Sequence, residues 1–140
     1  MARLRTTPYQ RDMLARLMRA EAESDGDIGM LLVGMVGINR VVSDCTEFKN
    51  LYDIEDMVYQ QPGGFEAIHY SYFYQAARPN ELKLVDRLIE GERFEPGTYA
   101  LWFYNPYQPN CPAQWWGNWN SGRYGEHCFY MPLPSQGCNL

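Results

Sequence analysis

Residues 15–42 read ARLMRAEAESDGDIGMLLVGMVGINRVV, and the fold is decided there. From Ile28 to Val42 only Asn39 and Arg40 break an otherwise apolar run. A helix that is apolar nearly all round belongs at the buried centre of a domain. The run falls short of the roughly 20 residues a bilayer span needs, so no membrane helix is predicted. Gly34 and Gly37 leave room for a neighbour to approach closely, and Asp25 and Asp27 stand where negative charge suits a helix start.

The other half of the stretch closes an earlier helix. Thr7, Pro8 and Gln10 form its start signal: a cap, a proline in the first turn and the partner of a capping box. This helix is predicted to run to about Glu23. At about 100° per residue from Leu14, Leu17 falls at about 300°, Met18 at about 40° and Glu21 at about 340°. Glu21 therefore lies inside the apolar stripe, whereas Glu23, about 200° further round, faces water. A carboxylate in that position must find a cation, stay protonated or border a cleft. Burial and the negative end of the helix dipole both favour the protonated form, which can act as a general acid. The competing reading, equally compatible with helix geometry, pairs Glu21 with Arg40 across the helix interface.

Outward from this pair, a short helix is predicted over about Ile54–Gln60 with Asp53 as cap. Another covers about Asn80–Glu90, with Leu82, Val85, Leu88 and Ile89 buried and Gly91 as terminator. The PGG at 62–64 is a turn. Near Phe94 the composition changes. Residues 94–140 carry only Glu95, Arg123 and Glu126 as charged side chains, yet hold 12 of the 21 aromatic residues. Strands are predicted over Thr98–Tyr104 and Glu126–Met131, with a proline-rich ordered loop between them. The expected architecture is α+β within 1–140: a helical lobe over about 7–93 and a small antiparallel lobe with a long aromatic loop over about 94–135.

The aromatic half gives the acid something to act on. Sugars present C–H faces edged by hydroxyls, and Gln114, Trp115, Trp116, Asn118, Trp119 and Asn120 supply rings with amides between them. Alternation sends Trp102 and Tyr104 to one face of their strand and Leu101 and Phe103 to the other. Phe65, Tyr70, Tyr72 and Tyr74 are further candidates for the same cleft. Several of these rings must also serve as core.

Other classes of function fit poorly. The chain has 140 residues, 46% hydrophobic, with 12 Lys+Arg against 17 Asp+Glu and a net charge of -5. An acidic chain without a basic face is not built for nucleic acid. No secretory signal pattern opens the sequence. No phosphate loop, dinucleotide fingerprint or nucleophile elbow is present. His69, His127, Cys45, Cys111, Cys128 and Cys138 lack metal-ligand spacing, so no metal is expected. The cysteines read as buried thiols or as one bridge, such as Cys111 to Cys128. Adjacent His127 and Cys128 on a strand point to opposite faces, which argues against a Cys/His nucleophile pair and leaves each histidine a structural reading. Asn39 is expected to hold backbone around the cleft.

Taken together, ARLMRAEAESDGDIGMLLVGMVGINRVV, QQPGGFEAI (60–68) and ALWFYNP (100–106) resemble the SleB/CwlJ type of bacterial cell-wall hydrolase, which degrades spore-cortex peptidoglycan during germination. The resemblance spans about Asp12 to Pro132. The QWW…NSGR…HCFY ending, and the lack of an N-terminal peptidoglycan-binding module, are closer to the CwlJ branch. It implies a lysozyme-like or lytic-transglycosylase-like fold with one catalytic Glu at the end of the first long helix, which maps to Glu21. Substrate-lining positions implied are Gln61, Phe65, Trp102, Tyr104 and Trp115. The resemblance further implies synthesis in the mother cell, deposition at the spore coat or outer cortex edge, a coat partner of the GerQ type, and calcium dipicolinate as activator.

A glycosidase of ordinary type needs two carboxylates about 5 to 9.5 Å apart. Glu47, Glu66 and Glu126 are candidates for the second, none singled out by placement. The favoured expectation is lytic transglycosylation of the muramic acid to N-acetylglucosamine β-1,4 bond with Glu21 as both acid and base. The alternatives are a non-catalytic glycan-binding or coat-interaction protein and a Cys/His amidase.

Overall fold

A computed structural model describes residues 3–136 and 138. Helix α1 spans Pro8–Ala22 and opens on the expected capping box: Thr7 accepts from the Gln10 backbone N–H, and Gln10 returns a bond to Thr7 N–H. After a single 3-10 turn, α2 runs Gly26–Val42, buried from Gly29 to Arg40. Helix α3 is Ile54–Val58, capped by Asp53, and α4 is Pro79–Ile89, begun by a proline in its first turn. Around α2 pack Leu14, Leu17 and Met18 of α1, Met57 and Val58 of α3, and Leu84, Val85 and Leu88 of α4. Gly34 is where the close approach is needed, because a Cβ there would meet the Leu88 Cδ1 at 2.3 Å and the Met18 Sδ at 2.8 Å.

Four short strands form one antiparallel sheet: β1 Trp102–Tyr104, β2 Gln114–Trp115, β3 Asn118–Tyr124 and β4 His127–Met131, in the order β1-β4-β3-β2. Phe103 lies opposite Phe129, and Arg123 opposite Cys128. Ala100 and Phe129 join the core built on α2, so the lobes share one interior.

Three differences from the sequence reading have physical causes. The strand expected from Thr98 starts only at Trp102, because α2 claims the preceding carbonyls. Asn39 Nδ2 donates to Gly97 O (2.9 Å) and Ala100 O (2.8 Å), and Arg40 Nε donates to Leu101 O (2.8 Å). Strand β3 lies in a Gly- and Asn-rich stretch that reads as loop; pairing with β4 overrides its composition. Tyr72 and Tyr74, spaced like a strand with Tyr70, fall in the 3-10 turn Ser71–Tyr74, and Tyr70 joins that turn to the preceding one over Glu66–His69. Their local carbonyls are held by buried Arg19, which donates to Tyr72 O, Gln75 O and Ala76 O.

All four cysteines are bridged. Cys111–Cys128 is the pair foreseen as a possibility, and Cys45–Cys138 was not foreseen. The second bridge closes a separation of 93 residues. No helix among the described residues is long and apolar enough to cross a membrane.

Candidate active site

Between the lobes lies an open cleft of about 810 Å³. Glu21 reaches it from the last turn of α1, half-buried, and its Oε1 accepts the Ala67 backbone N–H at 3.2 Å. Burial lifts its carboxyl above the ordinary carboxylate value, and the charge of Glu66 pushes the same way. The Ala67 N–H offsets part of that rise, as do the charge of Arg40 and, in its protonated form only, His127. Among the described residues no side chain forms an ion pair with Glu21. The alternative of a Glu21–Arg40 bridge is therefore not what the fold contains.

Arg40 is occupied elsewhere. Besides Leu101 O, it donates to Gly63 O (3.0 Å) and Gln60 Oε1 (3.2 Å), and its guanidinium lies over the rings of Phe65 and Phe48 at 4.8 and 5.0 Å. Burial lowers its pKa to about 10, which still leaves it cationic at neutral pH. It thus pins the PGG turn, the β1 approach and the cleft floor together.

The opposite wall is aromatic. Tyr104 stacks on Trp115 with centroids 4.5 Å apart and planes 14° apart, and Tyr130 backs both rings from 5.7 and 5.6 Å. Trp102 packs against Phe48 at 5.9 Å. Phe65, nearly buried, stacks on Phe103 at 6.0 Å. Trp116 and Tyr107 stand out from the rim, 85% and 90% exposed, and both adopt positive φ (52° and 53°). A bulky ring held in that backbone region is uncommon and is seen where a loop's shape serves a site.

Of the residues singled out from the sequence, Glu21, Phe65, Trp102, Tyr104 and Trp115 all border this cleft. Gln61 is an exception: it is exposed and is not among the cleft's lining residues, while its neighbour Gln60 makes the contact to Arg40. Tyr70, Tyr72 and Tyr74 are also absent from the lining; the Tyr74 hydroxyl donates to Ile68 O instead. Phe103, assigned by alternation to the far face from Trp102, lines the cleft as well, stacked on Phe65. Glu47, Glu66 and Glu126 all border it, so the cleft is acidic on several sides.

His127, structural by sequence pattern, lines the cleft, held at Nδ1 by Asp25 Oδ2 at 2.8 Å. Asp25 lies 102 positions earlier, and no local pattern joins them. Cys128 points away into its bridge with Cys111, so it has no thiol to act as a nucleophile. That removes the Cys/His amidase. No cluster of three or more His, Cys, Asp or Glu side chains among the described residues is arranged to hold a metal ion.

A carboxyl whose pKa burial raises, sharing an open trough with stacked rings, is equipment for cleaving a saccharide. The comparisons agree. Residues 24–130 match the family model described as Cell Wall Hydrolase. The chain is 58% identical over 121 residues to the cell wall hydrolase CwlJ of Oceanobacillus iheyensis, covering 86% of this chain and 85% of that protein. It is 50% identical over 132 residues to the cell wall hydrolase CwlJ of Bacillus subtilis, covering 94% and 92%. Among solved structures, the catalytic domain of the germination-specific lytic transglycosylase SleB from Bacillus anthracis superposes with a TM-score of 0.70 at 21% identity, over 90% of this chain and 97% of that one. The SleB catalytic domain from Bacillus cereus gives 0.68 at 21% identity, over 94% and 98%.

The architecture is therefore the lysozyme-like α+β arrangement of the SleB catalytic domains. The chain belongs to the cell wall hydrolase family, on its CwlJ side, and is a peptidoglycan-degrading enzyme.

Proposed function

We propose that the protein cleaves the muramic acid to N-acetylglucosamine β-1,4 bond of spore-cortex peptidoglycan as a lytic transglycosylase, with Glu21 as its single acid and base. The observation that carries this is the Glu21 carboxyl: half-buried, without an ion-pair partner among the described residues, raised toward its protonated form, and lining the same cleft as the Tyr104–Trp115 stack. The acid delivers its proton to the glycosidic oxygen, which leaves with the bonding pair. The resulting carboxylate then takes the proton of the muramic C6 hydroxyl as that oxygen bonds to C1, closing a 1,6-anhydro ring. The carboxyl ends the cycle protonated, and water is not consumed.

The likeness to cell wall hydrolases supports the cell-wall substrate, and the likeness to a germination-specific lytic transglycosylase supports the transglycosylase chemistry and the germination setting. Phe65, Trp102, Tyr104 and Trp115 are the rings we assign to the glycan. Action at the spore coat or outer cortex edge and dependence on a GerQ-type coat protein belong to the same reading; co-purification of the two from coat extracts tests it. Calcium dipicolinate enters as an activator of the process. Calcium takes about 6–8 oxygen ligands, and no such cluster stands among the described residues, so no step is routed through the metal.

The deciding experiment is mass spectrometry of cortex fragments digested by the purified protein. Anhydro-muramic ends from the native chain, and their loss in Glu21→Gln, are expected. Reducing muramic ends without anhydro products would replace transglycosylation by hydrolysis. Unchanged cortex breakdown by Glu21→Gln would take the acid's role away from Glu21.

A further inference from the structure

Asp25 occupies the N-cap position of α2 but caps nothing: its side chain makes no bond to the helix. An aspartate at this position normally caps its helix, so one diverted from that role serves something else. It crosses to the sheet, where Oδ2 meets His127 Nδ1 at 2.8 Å and Oδ1 accepts the Glu126 backbone N–H at 3.2 Å. The hairpin closes on it so tightly that a Cβ on Gly125 would sit 2.3 Å from Oδ1; the positive φ of 56° there independently favours glycine. Phe103 meets the His127 ring edge-on at 5.3 Å. The imidazole is thus fixed in position and in tautomer.

That tautomer matters. A carboxylate can only accept, so the proton lies on Nδ1 and the neutral ring presents a lone pair at Nε2. Among the described residues Nε2 makes no hydrogen bond, while the ring borders the cleft beside Glu21. What it could accept follows from the substrate of the proposed reaction. On the muramic residue the C6 hydroxyl proton is committed to Glu21, and the lactyl ether and ring oxygens only accept. Among the groups carried directly on the sugar ring, the remaining donor is the 2-acetamido N–H.

We propose that His127 is a second catalytic residue, accepting the acetamido N–H of the muramic sugar through Nε2, and that Asp25 is the positioning residue that keeps this nitrogen an acceptor. The contact fixes the sugar's rotation, and with it the alignment of the C6 hydroxyl on C1. Loss of alignment on the order of 1 Å costs roughly 10²-fold in rate. It also lets water compete for C1.

The inference rests on the transglycosylase reading, and its test separates the two. Native protein, His127→Ala, His127→Gln and Asp25→Asn are compared on purified glycan strands for kcat/KM and for the ratio of anhydro to reducing muramic ends. His127→Ala is expected to lose about 10²-fold in rate and to shift products toward reducing ends. His127→Gln, whose Oε1 stands near the place of Nε2, is expected to recover much of both. In Asp25→Asn the one remaining oxygen is claimed by the Glu126 N–H, so the amide donates to Nδ1 and moves the ring proton to Nε2. It should resemble His127→Ala with the ring intact.

A slower His127→Ala with an unchanged product ratio would show a merely structural role and overturn the proposal. Should His127→Ala not fold, a native-like product ratio in Asp25→Asn overturns it equally. A native protein that yields no anhydro ends removes the parent reading instead.

Discussion

In α2 every residue from Gly29 to Arg40 is buried, whereas on the sheet side Trp116 and Tyr107 leave most of their rings in water. One lobe buries aliphatic and methionine side chains; the other displays aromatic ones beside a cleft. Apolar side chains therefore have two jobs here, and the helical lobe has almost no freedom to change without cost to stability. The rim of the aromatic lobe can change at little cost to folding. Glu21 crosses this division, being a polar group that the stable lobe lends to the cleft.

Glu21→Gln is the strongest way to break the comparison. Removing a general acid costs about 10²–10⁴-fold in rate, so cleavage measured by release of soluble fragments should fall by that factor. Stability should move the other way. Because burial raises the folded carboxyl above its ordinary value of 4.5, the acid form is the one the fold favours. That contribution is complete below the ordinary value and is lost as pH rises through the raised one. Glutamine carries no such loss. The variant should match the native protein in acid and unfold later in urea at neutral pH. Native activity should decline as pH climbs through the same raised value.

Gly34→Val tests the other side of the comparison. Its added carbons would enter space held by Leu88 and Met18, and overpacking of that kind costs about 1–3 kcal/mol. Chemical denaturation should register the loss, while product chemistry on the folded fraction stays that of the native chain. Trp116→Ala is the mirror experiment. With 85% of the residue exposed, the midpoint should barely move. Because Trp116 lines the cleft beside the rings assigned to the glycan, KM should rise by up to about fivefold, the scale of one aromatic contact at roughly 1 kcal/mol.

The same division explains what could be read from sequence. Local chemistry was legible: the Thr7–Gln10 box, the Asp53 cap and the apolar α2 need only neighbours along the chain, and the structure contains all three. Glu21 was legible because it violates the stripe it sits in. The sheet lobe was less so. Strand β3 depends on a partner strand that overrides Asn, Ser and Gly, and the Cys45–Cys138 bridge spans 93 positions. The Asp25–His127 contact is equally remote, and alternation along β4 revealed only that His127 and Cys128 face opposite ways. Gln61 was carried over from a motif, and the side chain in contact with Arg40 belongs to the residue before it.

Thr7→Ala makes the finest cut. The threonine lies at the far end of α1 from Glu21, and its hydroxyl accepts one N–H that water can also satisfy. Its loss should lower stability by about 0.5–1 kcal/mol, the lower part of the range for exposed caps. The first turn would fray, but Met13, Leu14, Leu17 and Met18 remain locked against α2 and α4, so the last turn keeps Glu21 in place. Unfolding should therefore shift slightly while kcat and the anhydro fraction stay at their native values. A fall in kcat as large as the fall in stability would mean that α1 moves as one rod, and that the acid is positioned by the whole helix rather than by its buried final turns.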